Sequence, residues 1–333
     1  MIASVVVLAA TAFTFASAAC TAPAKRVAWQ DMKAADKEAY LKATTCLLSS
    51  PAKTKLPGVK TRWDDLASLH QLHALQIHST GLFLPYHRYF LHVHEHLVRE
   101  CGYQGPMSYW DEPRDAGSFS KSTVLDGKLG FGGSGKGSKN CLADGPFVNA
   151  TVNIGPGFKT DPRCVNRKIT DNLSTLTGKS YVERALNGEE YWAVQDAIYS
   201  GPHLMGHAAL AMMDGDSITS AGDPLFMLHH GFVDKMWSDW QAASPARLTA
   251  ISGPNAQDPN VGFSEFPGGI EEESKMWGKP TPAMLAVMPD PQSGDGGPTT
   301  TLNHVFTSFG ILADVHVKDI MDTRGGYLCY VYA

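Results

Sequence analysis

Two imidazoles four residues apart on a helix project from one face, and His203 and His207 in His203-Leu204-Met205-Gly206-His207 have that spacing. A third imidazole from a neighbouring helix closes a three-nitrogen metal site. The segment Asp223-Pro224-Leu225-Phe226-Met227-Leu228-His229-His230, with Asp234 beyond it, supplies one. Because the chain has 13 histidines in 333 residues, chance alone gives about 0.5 such pairs. The spacing therefore needs outside support, and an upstream cluster, His70, His78 and His87, provides it. Two three-histidine clusters, each split between two helical segments, imply a binuclear centre in a mainly α fold built as an antiparallel four-helix bundle.

Several histidines must be decoys. On one helix, His70 and His78 differ by roughly 80° and face a common point, whereas His73 and His78 differ by about 140°. His70 is thus the better ligand. His92, His94 and His96 read as core or surface histidines. Of the adjacent pair His229 and His230, the second is favoured, and Asp234, four residues on, is placed to support it from behind. Six imidazoles without carboxylate or thiolate suit copper, zinc, nickel or iron and not magnesium, calcium or manganese. Neutral ligands leave the full charge on the metals, and copper is the member of this group that would reduce dioxygen. Zinc stays open on spacing alone, since three histidines with a vacant position also make a hydrolytic zinc site.

The elements that must position these residues follow from punctuation. Leu66 to Ser79 reads as one helix, Gly81 to Pro85 as a break and Tyr86 to Cys101 as the next helix. An earlier helix within Trp29 to Ser49 stops at Pro51, and helical composition returns over Tyr181 to Ile198, with Pro202 just ahead of the second cluster. From Gly102 to Thr177 the chain turns irregular, with five glycines between Gly130 and Gly137. A terminal β-like run covers Val305 to Val317 and Gly326 to Tyr332.

A chain that is 43% hydrophobic can bury a large core, and a formal charge of −5 excludes nucleic acid as a partner. Ser4 to Ala16 is almost wholly apolar and is followed by Ala16-Ser17-Ala18, which reads as a secretory signal peptide over residues 1–18 and leaves 19–333 as one domain. It is too short to span a bilayer, so no membrane is expected as a partner. Six cysteines in a secreted chain imply disulfides. Proximity suggests Cys20 with Cys46, Cys141 with Cys164 and Cys101 with Cys329. Asn149-Ala150-Thr151 and Asn172-Leu173-Ser174 are acceptable glycosylation sites there.

The segment from His78 through Phe83-Leu84-Pro85-Tyr86-His87-Arg88-Tyr89-Phe90 to Glu95 resembles the copper A signature of tyrosinases, catechol oxidases and mollusc-type haemocyanins. His203-x3-His207 with Asp223-Pro224-x-Phe226-x3-His230-x3-Asp234 resembles their copper B signature. The resemblance runs from Arg26 to Tyr330-Val331-Tyr332, and the compact form is similar to short secreted fungal members. It implies two copper ions held by His70, His78 and His87 and by His203, His207 and His230, within a helix bundle with long disulfide-tied loops and a few short β strands. It implies dioxygen and a small phenol as partners: each of two o-diphenols gives two electrons, yielding two o-quinones and two waters. Gln76 stands where many members place a cysteine linked to the middle copper A ligand, so that link is expected to be absent. Leu204 follows the first copper B histidine where strongly hydroxylating members carry Asn, and Gln195 replaces a Glu that holds a water. Ser220 aligns with the gate above copper A, where a small residue leaves the site open. These departures imply o-diphenol oxidation over phenol hydroxylation. A reversible oxygen carrier and a zinc hydrolase are the competing readings.

Overall fold

The computed structural model describes residues 20–255, 275 and 277–333; the expected signal peptide lies outside them. The fold is mainly helical. Helices α1 (Ala34–Ser49), α2 (Arg62–Ile77) and α3 (Phe83–Glu100) come first. After a long irregular stretch come α4 (Asp171–Ser174), α5 (Lys179–Leu186), α6 (Tyr191–Ile198), α7 (Leu204–Leu210) and α8 (Phe226–Ala242). Strand β1 (Ala24–Ala28) runs parallel to both β2 (Ser108–Tyr109) and β7 (Tyr330–Tyr332). Two short antiparallel pairs complete the described strands: β3 (Thr151–Val152) with β4 (Arg163–Cys164), and β5 (Val305–Phe306) with β6 (Val315–His316). The terminal β-like run therefore yields only two- and three-residue strands. No described helix is long and apolar enough to cross a membrane.

Helix α2 starts on a reciprocal cap: the Thr61 hydroxyl accepts from the Asp64 amide at 3.1 Å, and the Asp64 carboxylate accepts from the Thr61 amide at 2.9 Å. It ends at Ile77, earlier than the sequence suggests, so His78 sits beyond it in extended backbone (φ −99°, ψ 142°). Proline 85 does not break the chain. It lies in the first turn of α3, where its missing N–H would have no intrahelical acceptor anyway.

One buried charge cluster ties the bundle together. Asp234 on α8 accepts from Arg88 Nε of α3 at 2.6 Å, from Arg26 of β1 at 3.3 Å and from the Tyr330 hydroxyl of β7 at 2.6 Å. Arg88 also donates to the Met321 carbonyl at 2.5 Å and lies over the Trp237 ring at 3.6 Å. Asp234 thus supports no ligand histidine, because two guanidiniums already claim its carboxylate. Burial alone would raise its pKa, but Arg88 and Arg26 overcome that and hold it below the ordinary value.

The disulfides are Cys20–Cys329, Cys46–Cys101 and Cys141–Cys164, so proximity along the chain misassigned two of the three. Pairing of β1 with β7 brings together cysteines 309 residues apart. The second bridge joins the last turn of α1 to the residue that ends α3.

Removing a partner from a buried ion cluster strands the remaining charges. Asp234→Asn should therefore cost about 3–5 kcal/mol of stability, measured by denaturant unfolding. Since the folded carboxyl titrates below its unfolded value, the loss should be full above about pH 4 and should shrink as pH falls further.

Candidate metal centre

Four segments bring six histidines to one place. His70 comes from the middle of α2, His78 from the extended residue that caps it and His87 from the second turn of α3. His203 and His207 lie across the junction between a π-helical turn (Tyr199–His203) and α7, and His230 lies in the second turn of α8. Gly201 within the π turn has φ −101° and ψ −111°, a non-helical geometry that redirects the chain just ahead of Pro202 and His203. Such π turns recur at functional sites.

His70, His78 and His87 form one group whose ring nitrogens lie within 4.8 Å of one another; His203, His207, His229 and His230 form the other. The groups adjoin, since the His87 and His230 rings stack at 4.2 Å. His70 Nδ1 lies 2.9 Å from the Ile218 carbonyl. His78, His87 and His203 set Nδ1 at 3.0, 2.8 and 3.0 Å from the carbonyls of Ala74, Phe83 and Tyr199, each four residues back. A ring that donates through Nδ1–H presents Nε2 as a lone pair. Burial drives all six to the neutral form: it lowers the His70 pKa to about 4 against the opposing carbonyl of Ile218, and lowers the other five well below their ordinary value.

That donor set fits metal. His203 Nε2 is buried without a hydrogen-bond partner. His70 and His87 bring Nε2 atoms to 3.4 Å, and His207 and His230 to 3.0 Å. His70 and His87 both turn Nδ1 to carbonyls, so their facing Nε2 lone pairs repel unless a cation lies between them. The two triads suit a dinuclear copper site, by the preference of imidazole for such ions.

The remaining histidines separate cleanly. His73 turns away, with Nδ1 2.8 Å from the Leu69 carbonyl and its ring against Tyr86 at 4.8 Å. His92 packs on Tyr327, His94 lies between Tyr40 and Trp63, and His96 sits beside Glu100 on the surface. His78 joins the site although the helical angle argued for it does not apply, because α2 ends one residue before it. Gln76 bonds the Pro289 carbonyl, and all six cysteines are in disulfides, leaving none to link to His78.

A participant without a spacing signal is Glu112. It is wholly buried, and its carboxylate accepts from His229 Nδ1 at 2.5 Å. Burial raises its pKa against the opposing influence of His229. His229 therefore points an unpartnered Nε2 into the second group. Gly206 permits the approach: a Cβ there would lie 2.4 Å from His229 Cε1 and 3.0 Å from Glu112. The glycine inside His203-x3-His207 was the available clue to a close neighbour.

A cavity of about 180 Å³ opens onto His78, His203 and His207. Leu204, Ala208, Ala211, Ser217 and Ser220 wall it. Gln195 does not line it: its amide nitrogen donates to the Thr80 carbonyl at 2.5 Å and its oxygen accepts from the Tyr191 hydroxyl at 2.6 Å. The Gln195 amide is thus used at both ends within the protein.

With the geometry in hand, kinship is direct. Residues 60–243 match the common central domain of tyrosinase, more than half of the chain. A tyrosinase-like protein of Diaporthe leptostromiformis, phomQ1, is 32% identical over 94% of this chain and 78% of its own length. The N-acetyl-6-hydroxytryptophan oxidase ivoB of Emericella nidulans is 26% identical over 92% of this chain and 91% of its own. A solved polyphenol oxidase from Thermothelomyces thermophila superposes with a TM-score of 0.73 at 25% identity, covering 93% of this chain and 89% of that one. The chain belongs to the tyrosinase family of type 3 copper proteins. It is a tyrosinase-like copper oxidase, a class that uses dioxygen and phenolic substrates.

Two outcomes follow for metal content, measured by elemental analysis of purified protein. His230→Ala should halve bound copper, whereas His73→Ala should retain it in full. Glu112→Gln should weaken copper retention against a competing chelator by about 10–100-fold, the usual cost of losing a group that orients a metal site from behind.

Proposed function

We propose that this protein oxidises o-diphenols to o-quinones with reduction of dioxygen to water, and hydroxylates monophenols weakly or not at all. In this reading His70, His78 and His87 hold one copper, and His203, His207 and His230 the other. When bound, the copper pair supplies two-electron redox chemistry toward dioxygen. The protein contributes six neutral nitrogen ligands and one open side. Each of two o-diphenols loses two electrons and two protons, and one dioxygen becomes two waters.

The observation that carries the preference for o-diphenols is the chemistry of the cavity wall beside His203. Leu204 places a hydrocarbon there, and Gln195 is held away by Thr80 and Tyr191. Neither group takes up a phenolic proton. An isolated phenol, with a pKa of about 10 as in tyrosine, gives up that proton less readily than an o-diphenol and needs more help. The small Ser220 leaves the open side of the site accessible, which supports substrate turnover over oxygen storage. Three disulfides suit an oxidising compartment and support secretion.

The test is oxygen uptake by copper-loaded protein with catechol and with phenol. Catechol should be consumed and phenol largely spared; preferential consumption of phenol would overturn the reading. Leu204→Asn should raise the ratio of phenol to catechol turnover, and an unchanged ratio would remove Leu204 from the account.

A further inference from the structure

His70 is aimed differently from its neighbours. His78, His87 and His203 set Nδ1 against a carbonyl four residues back in the chain. His70 Nδ1 instead lies 2.9 Å from the carbonyl of Ile218, 148 residues further along and in a turn outside any helix. No helix fixes that carbonyl, so the orientation of His70 depends on whatever holds the turn.

Asp216 holds it, and its side chain is wholly buried. Oδ1 accepts from the amides of Ile218 and Thr219 at 2.9 and 3.1 Å. Oδ2 accepts from the Gly157 amide at 2.7 Å and from the Thr219 hydroxyl. That hydroxyl accepts in turn from Arg163 at 2.6 Å. Hydrogen bonds to an ionised carboxylate are stronger than neutral ones, so four of them fix the turn firmly. The Asp216 carbonyl also accepts from the Ser220 amide at 2.8 Å, so the turn that carries the His70 acceptor also places a residue lining the cavity.

These contacts form a closed circuit. Gln71, next to His70 on α2, donates through Nε2 to the carbonyls of Gly157 at 2.7 Å and Lys159 at 3.0 Å. The path runs from His70 to Ile218, through Asp216 to Gly157, and back to α2 through Gln71. Gly157 makes the return possible: its φ is +54°, and a Cβ there would lie 2.1 Å from the Trp277 carbonyl oxygen. An amide in place of the Asp216 carboxylate breaks the circuit. Asn offers one acceptor oxygen, and its other arm sets N–H against a backbone N–H. A buried donor left facing a donor is costly, so the turn loosens and the Ile218 carbonyl leaves Nδ1.

We propose that Asp216 is the positioning residue for His70: it holds the Ile218 carbonyl that orients the imidazole, and so sets how tightly the triad of His70, His78 and His87 keeps its copper. This rests on the reading that this triad holds one copper and His203, His207 and His230 the other, so the test separates the two. Chains with one site each are the starting point: His230→Ala leaves the first triad and His87→Ala the second. In the His230→Ala chain, Asp216→Asn should weaken copper retention against a competing chelator about tenfold. In the His87→Ala chain the same substitution should leave retention unchanged. Gln71→Met opens the circuit at its other end and should cost the first triad about threefold, which keeps the test available if the Asp216 variant does not fold. Equal loss in both chains would make Asp216 a support of the fold at large, and no loss in either would leave His70 independent of it; both results overturn the proposal. Nitrogen-15 NMR of the full metal-free chain supplies a second measurement. His70 should carry its proton on Nδ1, and Asp216→Asn or Gln71→Met should spread it over both nitrogens, while His78, whose acceptor Ala74 lies within α2, stays as it was. An unchanged His70 proton position would likewise overturn the proposal. If neither one-site chain binds a copper, the ligand reading fails, and the NMR measurement still judges Asp216.

Discussion

Six imidazoles buried together without a counterion are tolerable only if each stays neutral, and the rest of the structure serves that condition. Backbone carbonyls take the Nδ1 protons of four rings, burial disfavours the charged form, and Nε2 is left as a lone pair facing its neighbours. The same carbonyl contacts fix ring orientation. Three of them come from the residue four back, so the main chain itself aims those ligands. Positioning comes from the carbonyls and neutrality from burial, which outweighs the carbonyls' opposite pull on the pKa.

Everything farther out holds the ligand-bearing segments in register. Asp234 draws α3, α8, β1 and β7 onto a single carboxylate, so the segments carrying His87 and His230 cannot separate without exposing buried charge. Helix α7 is brought against α8 through Gly206, and Glu112 reaches from the irregular stretch to fix His229 at their contact. Cys20–Cys329 ties down the two strands that contribute Arg26 and Tyr330. The open side faces small residues, which leaves chemistry at the metals and selection at the wall.

Local spacing made much of the site legible. His203-x3-His207, the run to His230 and Asp234, and the segment from His78 to Glu95 are short-range patterns that survive any error in element boundaries. His78 shows the limit of the helical argument: it does lie with His70 and His87, but it enters through extended backbone after α2, not along its face. Pro85 was misread as a break because its position within the first turn depends on where α3 begins. The Cys20–Cys329 and Cys46–Cys101 bridges were not legible, since only pairing of β1 with β7 and packing of α1 on α3 bring those thiols together. Glu112 lay hidden for the same reason: it sits in irregular chain at no fixed interval from His229. Asp234 had the right spacing for a ligand-supporting role, and only the arrival of Arg88 and Arg26 assigned it elsewhere.

The central claim is that two neutral histidine triads each hold a copper through Nε2. Diffraction from copper-loaded crystals at the copper absorption edge tests it most directly. The account predicts two anomalous peaks per chain, one surrounded by His70, His78 and His87 and the other by His203, His207 and His230, with His229 still bonded to Glu112. A single peak, or a second peak bound by His229 in place of His230, would contradict it.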